Sequence, residues 1–458
     1  MLLASAPRQQ LQARPNAEKP FGLLEAQTGT ESAPRRGEHK EIGSDGLEAP
    51  DNLGMPTYEF SVTLRAGKII PRQMRSIELF AGAGGLGIGL HGAGFEPINV
   101  IERDSYCCDT IRHNQALKVE AVLDWNVLQY DVRKINFKQY EGKIDLVSGG
   151  PPCQPFSVGG KHRAFNDTRD MFPEAVRAVR EARPRAFIFE NVKGLTRTTF
   201  NNYYEYIQLQ MEHPTLARRK DENWTDHHSR LERHHTSGKS EDLHYRVVTR
   251  VLNAANFGIP QRRERVFFVG FRDDLGIAWN FPSETHSLDT LIWEQVMEFT
   301  YWDRNRVAKG SRCVAPRMLE RARKLQEKPI TLAWRTVREA LADLPDPEKR
   351  PRQSAEIWNH RFQPGARAYP GHSGSPLDEP AKTLKAGVHG VPGGENMLAR
   401  PDGSVRYFSV RETARLQTFP DNYLFHGSWT EAMRQLGNAV PVELAHCVGR
   451  TVMEQLCA

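Results

Sequence analysis

Residues Arg75 to Glu102 read RSIELFAGAGGLGIGLHGAGFEPINVIE. Ser76 to Phe80 is a short apolar strand, Leu86 to Gly92 opens a helix, and Pro97 to Ile101 forms a second strand. Beyond it, Tyr106 to Asn114 continues as helix. Ile144 to Ser148 and Ala186 to Glu190 are further strands, Met171 to Ala182 is a helix between them, and Val266 to Phe271 is a late strand. Strand and helix alternating at this spacing predict an α/β fold built on a parallel, doubly wound, Rossmann-like sheet. Such sheets bind their ligands outside the carboxyl ends of the strands.

The chain has 458 residues, 39% of them hydrophobic, with Lys+Arg 62 against Asp+Glu 56 and a formal charge of +6. That length allows one large core or two domains. No apolar run approaches the roughly 20 residues that a membrane helix requires, and the mean hydropathy is -0.58, so no membrane association is expected. The composition also excludes fibrous and wholly disordered chains. The six cysteines lack the pairing of a disulfide scaffold or a zinc site, which favours a reducing compartment. Only two leucines precede Arg8, too little for a secretory segment, and a cytoplasmic monomer is expected.

Residues 1–72 read as a mostly disordered tail in which nine basic residues balance nine acidic ones. Residues 73–274 carry the α/β pattern, interrupted over 200–243 by a polar insertion containing His227, His228, His234 and His235. These pairs have no cysteine partner and no regular metal-ligand spacing, so the plain reading is a solvated insertion without metal. Residues 275–405 lose the alternation and gain Pro, Gly and Trp, as a second, smaller domain would. Between Arg304 and Lys328, nine basic residues face only Glu320 and Glu327. Such a run is ordinarily a solvated helix face, yet it would also suit a polyanion. Residues 406–458 return to the first domain.

Four constellations carry chemistry. Phe80 to Gly87 follows a strand at the mouth of a helix, where glycines let backbone N–H groups approach the negative end of a ligand. Glu102, twenty residues beyond Gly82, stands where an acid meets ribose hydroxyls. The glycines at 82, 84, 85 and 87 depart from the dinucleotide spacing, so a dinucleotide, a smaller adenosyl ligand or a tight turn all remain open. Secondly, Gly149-Gly-Pro-Pro-Cys153-Gln-Pro-Phe-Ser157 puts one cysteine just past a strand's carboxyl end, stiffened by Pro151, Pro152 and Pro155. Stiff presentation suits a thiolate nucleophile. Thirdly, Glu190 ends the next strand and should face the same cleft; burial would let it keep a proton to donate to a ring nitrogen. Fourthly, Gln261-Arg-Arg-Glu-Arg265 offers forked donors at Arg263 and Arg265 on one face, either toward a ligand or paired with Glu190.

Taken in order, these motifs resemble the DNA cytosine-5 methyltransferase family of the bacterial restriction-modification kind. The likeness covers Arg75 to about Phe271 and Arg406 to Val452, adding Asp131-Val132, Arg411 to Gln417 and Gly437 to Pro441. It implies S-adenosylmethionine as cofactor: Phe80 against the adenine, Gly82, Gly84 and Gly85 near the methionine part, Glu102 on the ribose. Asp131 would meet the adenine amino group, with Val132, Pro152 and Asn438 completing the pocket. It implies Cys153 as nucleophile, Glu190 as partner of the cytosine ring nitrogen, and Arg265 as donor to the carbonyl with Arg263 in support. Gln154, Ser157, Lys161, Arg163 and Arg169 would contact DNA from a mobile loop, and residues 275–405 would read the target, Thr383-Leu384 matching a recurrent pair. Gly159 stands where relatives often have a polar residue. Double-stranded DNA is then the expected partner, with a cognate endonuclease as a separate protein. The alternatives are an RNA cytosine-5 methyltransferase, whose short Cys-Phe-Thr signature is absent, and a catalytically silent DNA-binding module. A hydride-transferring dinucleotide enzyme would leave Cys153 and Glu190 unexplained.

Overall fold

The computed structural model describes residues 73–152, 170–238, 242–370, 372–386 and 396–458. The tail expected over 1–72 lies outside them. Strands β1 (Met74–Leu79), β2 (Phe95–Glu102), β3 (Val127–Gln129), β4 (Leu146–Gly149), β5 (Ala186–Val192), β6 (Tyr245–Asn253) and β7 (Glu264–Arg272) form one sheet in the order β3-β2-β1-β4-β5-β7-β6. The first five are parallel to their neighbours. The last two depart from the expected all-parallel sheet: β7 is antiparallel to both β5 and β6. The reason is connection length, since the ten residues between β6 and β7 are too few for a crossover and suffice only for a hairpin-like return.

Alternate residues of the buried strands serve opposite faces. Ile77, Leu79, Val147, Phe187, Phe189, Val266 and Phe268 enter one core. Their neighbours Leu146, Ala186, Ile188, Phe267, Val269 and Phe271 enter the other. On the first face lie α3 (Phe172–Ala182) and α4 (Asn201–Glu212). The stretch read as a solvated insertion is therefore part of the core: Tyr203, Tyr206, Ile207 and Met211 of α4 are buried, and α5 (Trp224–Ser237) adds Leu231 and buries His227. The polar composition concealed a stripe of tyrosines whose hydroxyls find partners, Tyr206 with His227 Nδ1 at 2.8 Å among them.

On the second face, α1 (Gly85–Gly92) packs against α8 (Val442–Cys457). Their backbones meet so closely that a Cβ on Gly85 would stand 2.5 Å from Val440 O, and one on Gly89 would overlap Val442 O. A Cβ on Gly87 would overlap the Glu78 carboxyl and come within 2.7 Å of the Trp125 ring. Overpacking of this kind costs roughly 1–3 kcal/mol. Gly87→Ala is expected to lower the denaturant midpoint accordingly, while Gly310→Ala, with nothing near it, leaves it in place.

Helices α2 (Ser105–Ala116), α6 (Val410–Leu416) and α7 (Trp429–Asn438) close the far edge. Asp104 caps α2 by accepting from Cys107 N and pairs with Arg434 of α7 at 3.0 Å. Residues 275–405 hold short helices, a two-stranded pairing of His286–Ser287 with Leu332–Ala333, and most of a three-stranded sheet that ends at Val405–Tyr407. The basic run is not the bare +7 surface its sequence allowed. Arg304 pairs with Glu294 and Glu339, Arg312 with Asp303, Arg317 with Glu379, Arg321 with Asp289 and Lys328 with Glu298. Acids from elsewhere in the chain fold onto it. Among the described residues, Arg306, Lys309, Arg323 and Lys324 are left without an ion pair. No helix among the described residues is long and apolar enough to cross a membrane.

Candidate active site at the carboxyl edge of the sheet

From β1 the chain first builds outward to β2 and β3, then returns to place β4 and β5 on β1's other side. A crevice opens at such a reversal, beyond the carboxyl ends of the central strands. The glycine loop leaves β1 there, and the Pro151-Pro152 segment leaves β4.

Phe80 adopts φ +56°, and Gly82 and Gly84 lie at +56° and +84°, the left-handed region that favours glycine. This sharp turn aims Gly82 N at Glu102 Oε2, 2.9 Å away. Glu102 Oε1 accepts from Arg103 N at 2.7 Å and Asp104 N at 2.8 Å, which locks the carboxylate at the end of β2. Gly82 and Gly84 thus serve the turn, whereas Gly85 and Gly87 answer close packing against the protein itself. Asp131 follows β3, accepts from Arg133 N and pairs with the Arg133 guanidinium, which holds its carboxyl down to about 2. Beside it Val132 is buried. Asn438, at the end of α7, is exposed.

Glu190 and Arg265 lie on adjacent antiparallel strands. Glu190 is opposite Phe267 and Arg265 opposite Val192, so the two are diagonal neighbours on one face. Arg265 Nε stands 2.8 Å from Glu190 Oε1. The N–H is not aligned on that buried oxygen, which has no hydrogen-bond donor among the described residues. Burial pushes the Glu190 carboxyl up, against the pull of Arg265 and Arg263. A Cβ on Gly150 would be 3.4 Å from Glu190 Oε2. Asn191 Nδ2 donates to Pro151 O at 2.8 Å, and Met171 N to Pro152 O at 3.1 Å. The backbone on which Cys153 follows is therefore tied directly beside Glu190. Cys153 itself, with Gln154, Ser157, Lys161, Arg163 and Arg169, lies outside the described residues.

Arg263 is placed otherwise than its neighbour. Fully buried, it donates to Leu384 O at 3.0 Å, Gly437 O at 2.8 Å and Ala439 O at 2.7 Å. It thereby fixes the backbone on both sides of Asn438 and makes no hydrogen bond to Glu190. Thr383 gives its hydroxyl proton to Arg262 O at 2.6 Å, in the seam between residues 275–405 and the sheet.

Two residues of this seam and loop were not singled out from sequence. Gln261 donates to Leu416 O and Gln417 Oε1 and accepts from Leu384 N, joining three motifs at once. Glu78, on β1, is buried and accepts from Gly87 N at 3.1 Å. Burial, with some help from the Glu102 charge, pushes its carboxyl up to about 8. A carboxyl inside an otherwise apolar strand, just before a glycine run, was its signal. Because its folded-state value exceeds the ordinary 4.5, Glu78 favours folding at low pH, and that contribution is lost as pH rises through about 8. Glu78→Gln is expected to lose less stability than the parent between about pH 4.5 and about pH 8, read from denaturant midpoints; parallel curves would contradict this.

The pattern of the family described as C-5 cytosine-specific DNA methylase matches residues 74–213 and 222–454. The chain is 31% identical over 391 residues to the Type II methyltransferase M.PspPI of Psychrobacter sp. (strain TA137), spanning 84% of this chain and 80% of that protein. It is 29% identical over 384 residues to the Type II methyltransferase M.NgoMIV of Neisseria gonorrhoeae, spanning 84% and 98%. A crystal structure of a prophage-encoded E. coli protein, described as a DNA modification methyltransferase, shares the fold with a TM-score of 0.51 at 21% identity, covering 84% of this chain and 99% of that one. With a match over most of its length, and with the glycine turn, the Pro-Pro segment and the Glu190–Arg265 pair on one sheet edge, the chain belongs to the C-5 cytosine-specific DNA methylase family.

Proposed function

We propose that this chain methylates carbon 5 of a cytosine drawn out of duplex DNA, with S-adenosylmethionine as methyl donor, and that it protects a target sequence from a separate cognate endonuclease. The observation that carries this reading is Glu190: a buried carboxyl with one unserved oxygen, beside Gly150 and the segment leading to Cys153.

The donor set at the ends of β1 and β2 suits an adenosyl group. Glu102 offers a carboxylate held by three backbone N–H groups, with lone pairs left for hydroxyls. Phe80 adds a half-buried ring, Gly82 and Gly84 a turn free of side chains, and Val132 and Pro152 apolar contact. Asp131 and Asn438 would close the pocket, Asn438 positioned through Arg263. When bound, S-adenosylmethionine supplies an electrophilic methyl group.

Carbon 5 of cytosine is a poor nucleophile. Addition of the Cys153 thiolate to carbon 6 turns the ring into an enamine and makes carbon 5 reactive. Negative charge then builds on ring nitrogen 3 and the carbonyl oxygen. Glu190, whose carboxyl burial pushes up, would donate its proton to the nitrogen, and Arg265 to the oxygen; one preorganised donor of this kind is commonly worth about 3 kcal/mol. A stacked base cannot be reached by a protein thiolate, so the cytosine must be flipped, at a cost of a few kcal/mol. Gln154, Ser157, Lys161, Arg163 and Arg169 would hold the opened duplex by its backbone. Residues 275–405 would read the target through the grooves, with Thr383 at their seam. Arg306, Lys309, Arg323 and Lys324 would add salt-sensitive affinity.

Bisulfite sequencing of DNA from a host expressing the chain tests this. Cytosines that resist conversion at one recurrent short sequence are expected. Full conversion throughout, or methylation confined to transfer RNA, would overturn it.

A further inference from the structure

Glu212 ends α4, His213 follows it, and His234 and His235 lie in the last turn of α5. His244 immediately precedes β6. The fold gathers these five residues from three elements. Glu212 and His213 are buried, and His235 is exposed. One ligand atom each from Glu212, His213 and His235 lies within 4.8 Å of the others.

The separations are those of a coordination shell. His213 Nε2 is 3.0 Å from His235 Nδ1, which is 3.5 Å from Glu212 Oε2. Tetrahedral zinc with bonds of about 2.0–2.1 Å spaces its ligand atoms roughly 3.3 Å apart, and the two distances straddle that value. The Nδ1 of His235 faces both an imidazole nitrogen and a carboxylate oxygen. A cation between them serves all three. The His213 ring also has the rings of His234 and His244 at 5.2 Å and 5.0 Å between centroids.

We propose that Glu212, His213 and His235 bind a divalent zinc ion, with a water in the fourth position. Two imidazoles and a carboxylate are borderline ligands of the sort zinc accepts. Spacing concealed the group, because Glu212 and His213 stand more than twenty residues from His235. Tyr245 pairs with Arg272, and Phe271 with Ala186 at the start of β5. The site therefore lies at the amino edge of β5, whereas Glu190 lies toward its carboxyl edge. The ion would clasp the end of α4 to the last turn of α5, acting on stability rather than on the chemistry.

The test uses the full-length chain without a histidine tag, dialysed against zinc chloride and analysed for bound metal. One zinc per chain is expected, with a tetrahedral visible band after cobalt replacement. The Tm should rise by roughly 3 °C at a hundredfold excess over Kd. His235→Ala, at an exposed position, should remain folded and bind none, while His235→Cys restores binding. A folded parent that takes up no zinc would overturn the proposal. So would zinc retained by both His235→Ala and Glu212→Gln.

Discussion

Cys153→Ala protein is expected to bind duplex DNA with the parent's affinity and to incorporate no labelled methyl group. Without a thiolate at carbon 6 the ring never becomes an enamine, and carbon 5 has no electrons to offer the methyl donor. Positioning of cofactor and base survives, but positioning alone cannot supply the missing bond. Removal of a covalent nucleophile in other enzymes lowers turnover by factors on the order of 10^6, and a loss beyond about 10^4 is expected here. Filter-binding assays and tritium incorporation on the same preparation separate the two readouts. Turnover within tenfold of the parent would remove Cys153 from the mechanism.

The next largest effect is at Glu190. Glu190→Gln keeps the shape of the side chain beside Arg265, but it has no proton of the required acidity for nitrogen 3. The expected result is a fall in kcat of about 10^2- to 10^3-fold, with KM for DNA nearly unchanged. The pH profile carries a second signature. Burial raises the Glu190 carboxyl, so the proton-bearing form persists to higher pH than for an ordinary carboxyl and is lost as pH rises through its folded-state value. The parent's kcat should decline over that range, and the Gln variant should not. Pairing of its buried carboxyl with partly buried Arg265 also makes the residue structural, since breaking a buried pair outright costs about 3–5 kcal/mol. Glu190→Ala is accordingly expected to lose stability as well as activity, and a variant that lost only stability would limit Glu190 to holding Arg265.

Sequence patterning reached the five central strands because each is a short apolar run bounded by turn residues. It missed β3, which is three residues long and nowhere fully buried, and β6, whose apolar residues are interrupted by Arg246, Thr249 and Arg250. Glu190 and Arg265 were legible together because one lies near the end of β5 and the other at the start of β7, in one sheet. Arg263 was not separable from Arg265 by spacing. Only the return of residues 437–439 to the sheet shows that its guanidinium serves carbonyls from distant segments. Gly85 and Gly87 were read toward a ligand, whereas their neighbours on the missing-Cβ side are Val440 and Glu78, a matter of tertiary approach that no local pattern encodes. The ion pairs that quiet the Arg304 to Lys328 run likewise depend on acids many residues away.

The most direct measurement offers the protein a duplex in which the target cytosine carries fluorine at carbon 5, together with cofactor. Fluorine cannot leave as a proton does, so addition through sulfur becomes irreversible once the methyl group is in place. A stable protein–DNA adduct that maps by mass spectrometry to the peptide containing Cys153 is the predicted result. Failure to trap any adduct while the unmodified duplex is methylated, or an adduct on another residue, would contradict it.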